Sequence, residues 1–105
     1  MEPPRLPLSE EQELVIYRVA QEAMTNVVRH AHATEVELRL ERADDRVNLV
    51  VRDDGEGLPQ GALPSAHGIR GMRERAMLIG ADIAITRRSD RGTEVELSIP
   101  VEAGR

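Results

Sequence analysis

Apolar residues recur at every second position in four short runs of this chain, and the runs come in two pairs, each following a stretch of helical periodicity. Val36, Leu38 and Leu40 alternate with Glu35, Glu37, Arg39 and Glu41. After Ala43-Asp44-Asp45 the pattern resumes at Val47, Leu49 and Val51. Ile83 and Ile85 form a third run, and Thr93, Val95, Leu97 and Ile99 a fourth, joined by Ser89-Asp90-Arg91-Gly92. A period of two puts every second side chain on one face of a strand, so each run buries one face only. The predicted order is helix, strand, strand, loop, helix, strand, strand. That order folds as an α+β two-layer α/β sandwich, with a mixed, mostly antiparallel sheet, two helices on one face, and the other face left to water or a partner.

At 105 residues the chain holds one domain. A chain of this size buries roughly 65% of its unfolded surface, enough for a core without staples. It contains no Cys, which excludes thiol chemistry, disulfides and Cys-ligated zinc, and fits a reducing cytoplasm. Its 14 basic and 19 acidic residues leave a net charge of −5, which argues against general binding to nucleic acid or an anionic membrane. Tyr17 is the one aromatic residue, so base-stacking platforms are missing and the core is aliphatic. No apolar run approaches the ~18 residues of a membrane span.

Residues 1–8, MEPPRLPL, carry three prolines and read as an extended lead-in; residues 9–100 form the domain and 101–105 a tail. Ser9 with Gln12 is a capping-box pattern opening a helix that runs to about His32. A second helix is predicted from about Gly68 to Leu78, closed near Gly80. Between them, Gly55 to His67 carries three glycines and two prolines and reads as a mobile surface loop.

Two features suggest chemistry. Arg18, Glu22, Asn26 and His30 are spaced by four and form one polar row on an otherwise largely apolar helix. The plainer alternative is an Arg18–Glu22 pair with Asn26 in solvent. Strand parity then puts Asp53 on the same inward side as Val47, Leu49 and Val51, and Thr93 on that of Val95, Leu97 and Ile99. An inward carboxylate needs a donor, and Gly92 beside Thr93 permits a close approach. The alternative for Asp53 is a turn cap through Asp53-Asp54-Gly55.

The segments QEAMTNVVRHAHA (Gln21 to Ala33), DDGEGL (Asp53 to Leu58), HGIRGMRERA (His67 to Ala76) and RGTEVELSIP (Arg91 to Pro100) match, in order, four conserved boxes. They resemble the N, G1, G2 and final Gly-Thr boxes of GHKL, or Bergerat-fold, ATP-binding domains. The wording of the first and third is similar to the sensor histidine kinases that pair with response regulators carrying helix-turn-helix output domains.

The resemblance implies roles. Asn26 would coordinate Mg²⁺ through its side-chain oxygen, and Glu22 would hold the metal's shell or polarise an incoming imidazole. Arg29 and His30 would meet phosphates or ribose, unless they are solvated helix-end residues. Asp53 would accept a hydrogen bond from the adenine amine, supported by Thr93 directly or through water. Gly55 and Gly57 would let backbone pass close to the purine, and Gly68 and Gly71 would open the second helix toward the phosphates. Met72, Ile69, Leu58 or Leu63 would wall the base, with core filling the alternative for Met72. The Gly55 to Gly68 loop would be an ATP lid between strand and second helix. Arg70, Arg73 and Arg75 divide between helix ion pairs with Glu74 and a γ-phosphate or docking role.

It further implies an ATP-dependent protein-histidine kinase in two-component signalling, cytoplasmic, with a parent that is either free or membrane-anchored. The γ-phosphoryl would go to a histidine on a separate helical-hairpin domain, and from there to a response regulator. His30, His32 and His67 do not stand before an acidic residue as that acceptor commonly does. Family members usually carry a further helix and strand ahead of the lead-in, so the chain reads as a fragment with an exposed sheet edge. The rivals are a hydrolytic GHKL ATPase or anti-sigma-type serine kinase, and a degenerate module that binds a partner without nucleotide.

Overall fold

The structure, a computed structural model, describes residues 7–28, 33–55, 66–87 and 92–101. Its elements are α1 (Glu10–Asn26), β1 (Val36–Ala43), β2 (Arg46–Asp53), α2 (Ala66–Leu78), β3 (Asp82–Arg87) and β4 (Thr93–Pro100).

Helix α1 starts where its cap requires. The Gln12 amide donates to Ser9 Oγ at 3.1 Å and the Ser9 amide donates back to Gln12 Oε1 at 2.9 Å. Glu10, Glu11 and Glu13 place negative charge on the positive end of the helix dipole. The other end departs from expectation: the regular helix stops at Asn26, and Val27–Val28 follow in a wider π-type turn. Just before it, the Thr25 hydroxyl donates to the Gln21 carbonyl at 2.9 Å, a back-bond of the kind that bends helices.

α2 begins at Ala66 rather than Gly68. It ends in a Schellman motif: Ala81 N–H donates to Ala76 O at 2.9 Å and Gly80 N–H to Met77 O at 3.1 Å, with Gly80 at φ +65°.

The sheet order is β1-β2-β4-β3. Among the described residues every neighbouring pair is antiparallel, as the expected mostly antiparallel sandwich requires, and no parallel pair accompanies them. The physical reason is that β4 inserts between β2 and β3. Those two strands run parallel, as a helical crossover demands, but never pair with each other.

Helix α1 lies on β2 and β4, and α2 packs on β3 and on α1. Val15, Val19 and Ala23 of α1 meet Leu49, Val51, Val95, Leu97 and Ile99 of the sheet and Met72 and Ala76 of α2 in one aliphatic core. β1 falls outside this cover. Its register sets Leu38 opposite Val51 and Leu40 opposite Leu49, on the core side, yet Val36, Leu38 and Leu40 are 41%, 51% and 44% exposed. The alternation foretold the face correctly; burial fails because β1 is an edge strand beyond the helix layer.

The opposite face of the sheet is charged, with ion pairs Arg39–Glu41 at 3.1 Å, Arg52–Glu94 at 2.8 Å and Arg46–Asp82 at 2.9 Å. Val50, set between Arg39 and Glu96, is nonetheless buried there, as long charged side chains cover apolar surface with their stems.

Candidate functional site

Asp53 ends β2 on the core side and is 5% exposed, the one buried charged side chain among the described residues. Its Oδ1 accepts the Gly55 amide at 2.9 Å, so the inward carboxylate and the turn cap, alternatives in the sequence, are one arrangement. The β2–β4 register runs to Arg52 opposite Glu94, and one further step sets Asp53 across from half-buried Thr93.

Gly92 is buried at φ +100°, and a Cβ there would stand 1.9 Å from the Asp53 carbonyl oxygen. The close approach expected at Gly92 is therefore made by the backbone of Asp53 itself. Glycine here seats the end of β4 on the end of β2 and fixes where the carboxylate points.

Glu22 and Asn26 are half-buried on α1, the helix that lies on β2. Among the described residues Arg18 and Glu22 form no ion pair. Arg18 turns to Gln21 Oε1 at 3.4 Å and lies over the Tyr17 ring, 5.9 Å from its centroid. The row therefore does not consume itself in a helix salt bridge. Arg29, His30, Gly57, Leu58 and Leu63, and residues 56–65 of the proposed lid with them, lie outside the described residues, while its last residues, 66–68, belong to α2.

Two expectations on α2 need correction. Met72 is 0% exposed and belongs to the core, so it has no surface left to wall a base; helical spacing alone cannot separate the two roles. Ile69, half-buried at the margin of that core, keeps some. Gly68 lies in the first turn, whose amides are not consumed by the helix, but Gly71 lies a turn further in, where the amide belongs to the helix's own ladder. Arg70 pairs with Glu74 at 3.1 Å, and Arg73 and Arg75 are exposed.

A residue that sequence reasoning passed over stands next to Asp53. Asp54 Oδ1 accepts the amides of Thr34 and Glu35, each at 2.9 Å, and Oδ2 accepts the Thr34 hydroxyl at 2.6 Å. Foremost the Thr34 hydroxyl, and then the Glu35 amide, hold this carboxyl at about 2, below its ordinary 3.8. No local pattern signals a bond between positions 20 apart.

Glu35, Val36, Glu37, Arg52, Asp53 and Asp54 line a recess of about 280 Å³ at this end of the sheet. Four carboxylates against one guanidinium give it the wrong sign for a polyphosphate. Among the described residues no three His, Cys, Asp or Glu side chains converge as a self-sufficient metal site.

A helix-covered antiparallel sheet with a buried aspartate at the end of a central strand and a polar row on the covering helix defines an ATPase-type α/β sandwich. The chain belongs to the family described as histidine kinase-, DNA gyrase B- and HSP90-like ATPases, which matches residues 11–103. It is 42% identical over 93 residues to the signal transduction histidine-protein kinase/phosphatase UhpB of Salmonella typhimurium, covering 89% of this chain and 18% of that one. It is 38% identical over 94 residues to the nitrate/nitrite sensor protein NarX of Escherichia coli, covering 89% and 16%. The chain thus spans less than a fifth of the length of these relatives. Among solved structures, the histidine kinase domain of the Erythrobacter litoralis EL346 blue-light activated histidine kinase superposes with a TM-score of 0.74 at 28% identity, over 87% of this chain and 45% of that one. The ATP-binding domain of PrrB from Mycobacterium tuberculosis shares the fold, with a TM-score of 0.67 at 23% identity over 89% and 68%. The chain is a histidine-kinase-type ATPase domain, and no helix among its described residues is long and apolar enough to cross a membrane.

Proposed function

We propose that this chain binds Mg·ATP and presents its γ-phosphoryl to a histidine on a separate helical-hairpin domain, in a two-component pathway that ends on a response regulator. The observation that carries the reading is Asp53: a buried carboxylate, fixed from one side by the Gly55 amide and from the other by Gly92 against its backbone. Burying a charge is costly unless it is hydrogen-bonded, and a carboxylate so held is a fixed acceptor for the adenine amino group. Thr93 across the strand pair supports it.

The acidic recess beside Asp53 directs the phosphates away from β1 and toward α1, where Asn26 and Glu22 offer hard oxygen donors one turn apart. Two such oxygens fit a small hard cation that completes its shell with water and phosphate, so the donor set suits Mg²⁺. When bound, Mg²⁺ neutralises charge gathering on the phosphate oxygens. The chain's own part is positioning: Asp53 sets the base, Asn26 sets the phosphate end, and Glu22 orients the metal's water shell or the incoming imidazole. Phosphoryl transfer through a loose transition state asks for little beyond placement and charge.

Calorimetry with ADP, with and without Mg²⁺, tests this. Asp53→Asn is expected to weaken binding by about 1.5–3 kcal/mol, the scale of a hydrogen bond to a charged group. Asn26→Ala is expected to remove the Mg²⁺ dependence and leave metal-free binding nearly as it was. Unchanged ADP affinity in folded Asp53→Asn, or no binding by the parent chain, overturns the reading in favour of a nucleotide-independent module.

A further inference from the structure

We propose that Asp54 is a positioning residue that sets the spacing between the two halves of the nucleotide site, by clamping the chain that leaves α1 onto the end of β2. The proposal rests on the nucleotide reading above.

The grip of the core on α1 runs through buried Val15, Val19 and Ala23 and ends with half-buried Met24 packed against it. Residues 24–28 are half-buried or exposed, the Thr25 back-bond and the wide turn at Val27–Val28 loosen the ladder, and Asn26 falls within this stretch. The phosphate-side ligand therefore lies in the last turn of the helix, beyond its last core contact at Met24. Asp53, by contrast, is held rigidly at the far end of β2.

Asp54 closes the gap between them. Its carboxylate takes three donors from Thr34 and Glu35, and its own amide donates to the Glu35 carbonyl at 3.3 Å. These four bonds tie the entry of β1, eight residues after Asn26, to the residue following Asp53. An ionised carboxylate makes the stronger kind of hydrogen bond, and one that accepts from two consecutive amides and a hydroxyl fixes direction as well as distance. A neutral turn residue here would leave the loop to the single backbone bond.

The consequence is specific to ligand length. A ligand that spans both halves feels their spacing; one that touches only the Asp53 half does not. The test compares Mg·ADP, followed by calorimetry, with adenosine, followed by chemical-shift titration, on the chain carrying Asp54→Ala. Mg·ADP affinity is expected to fall about tenfold and adenosine affinity to stay within about twofold. Asn at this position retains an oxygen for the two amides, so Asp54→Asn is expected to recover most of the loss. Should Asp54→Ala fail to fold, Thr34→Val, which removes only the hydroxyl bond, is read in the same two titrations, with about a threefold loss expected on Mg·ADP alone. A loss shared equally by both ligands makes Asp54 merely structural and overturns the proposal, as does no loss on either. If the parent chain binds neither ligand, the nucleotide reading itself falls and takes the clamp with it, an outcome separate from a parent that binds and a variant that binds equally well.

Discussion

At the scale of single residues, the ends of β2 and β4 are where the structure leaves least room. Gly92 combines a backbone conformation that L side chains rarely adopt with a neighbour that a Cβ would overlap at 1.9 Å. Gly92→Ala is therefore expected to cost about 2 kcal/mol or more of stability from backbone strain and displacement of Asp53, read as a lowered denaturant midpoint. Asp54 offers a second readout. Its carboxyl is held at about 2 against an ordinary 3.8, so the folded state favours the ionised form. The stabilisation it contributes is fully present above 3.8 and is lost as pH falls through about 2. Urea titrations of the parent and Asp54→Asn should differ by a constant amount at higher pH and converge across that window; a gap that persists to the acid end would assign the effect to something other than this carboxylate. Of these residues, Asp53 was legible because a period of two carries a face along a strand. Gly92 was legible as a point of close approach but not for what approaches it, and Asp54 not at all, because their partners lie on other elements and local spacing is blind to them.

At the scale of elements, both helix ends that the sequence marks with a local signal are where that signal puts them. Ser9 and Gln12 satisfy each other's backbone, and Gly80 closes the Schellman motif. Ser9→Ala is expected to cost about 1 kcal/mol, measured by chemical denaturation, since it orphans an amide that water satisfies less well. The end of α1 carries no such punctuation, and there the expected boundary at His32 gave way to a regular helix ending at Asn26. The strands show the same division. Alternation identified all four and the inward side of each, but strand order is a non-local property, and only the order reveals that β1 lies beyond the reach of α1. Met72 illustrates the limit on a helix: one face serves the core and adjoins the site, and sequence spacing resolves faces, not neighbours.

At the scale of the whole molecule, the proposed site is built from parts that are distant in the chain, with Glu22 and Asn26 on α1, Asp53 on β2 and Thr93 on β4. On the proposed reading it offers a place for a nucleotide, and transfer further requires an acceptor imidazole held about 3–3.5 Å from phosphorus in line with the leaving oxygen. The chain incubated with γ-labelled ATP and Mg²⁺ is expected to bind it and remain unlabelled, while an added acceptor-bearing hairpin takes up acid-labile label. Stoichiometric label on the 105-residue chain itself would make one of its own histidines the acceptor.

The edge strand β1 bears on how this molecule behaves among its own copies. Eight residues long, it carries a row of backbone donors and acceptors without a neighbouring strand among the described residues, above a half-bare aliphatic strip. Such a row is a template for a second strand. Glu37, Arg39 and Glu41 stud it with charge, and the net charge of −5 adds a repulsion that salt screens over about 8–10 Å. Colloidal stability in this protein is therefore an electrostatic property guarding a geometric weakness: dilute, low-salt solutions favour the single molecule, and crowding at high ionic strength works toward strand-to-strand stacking.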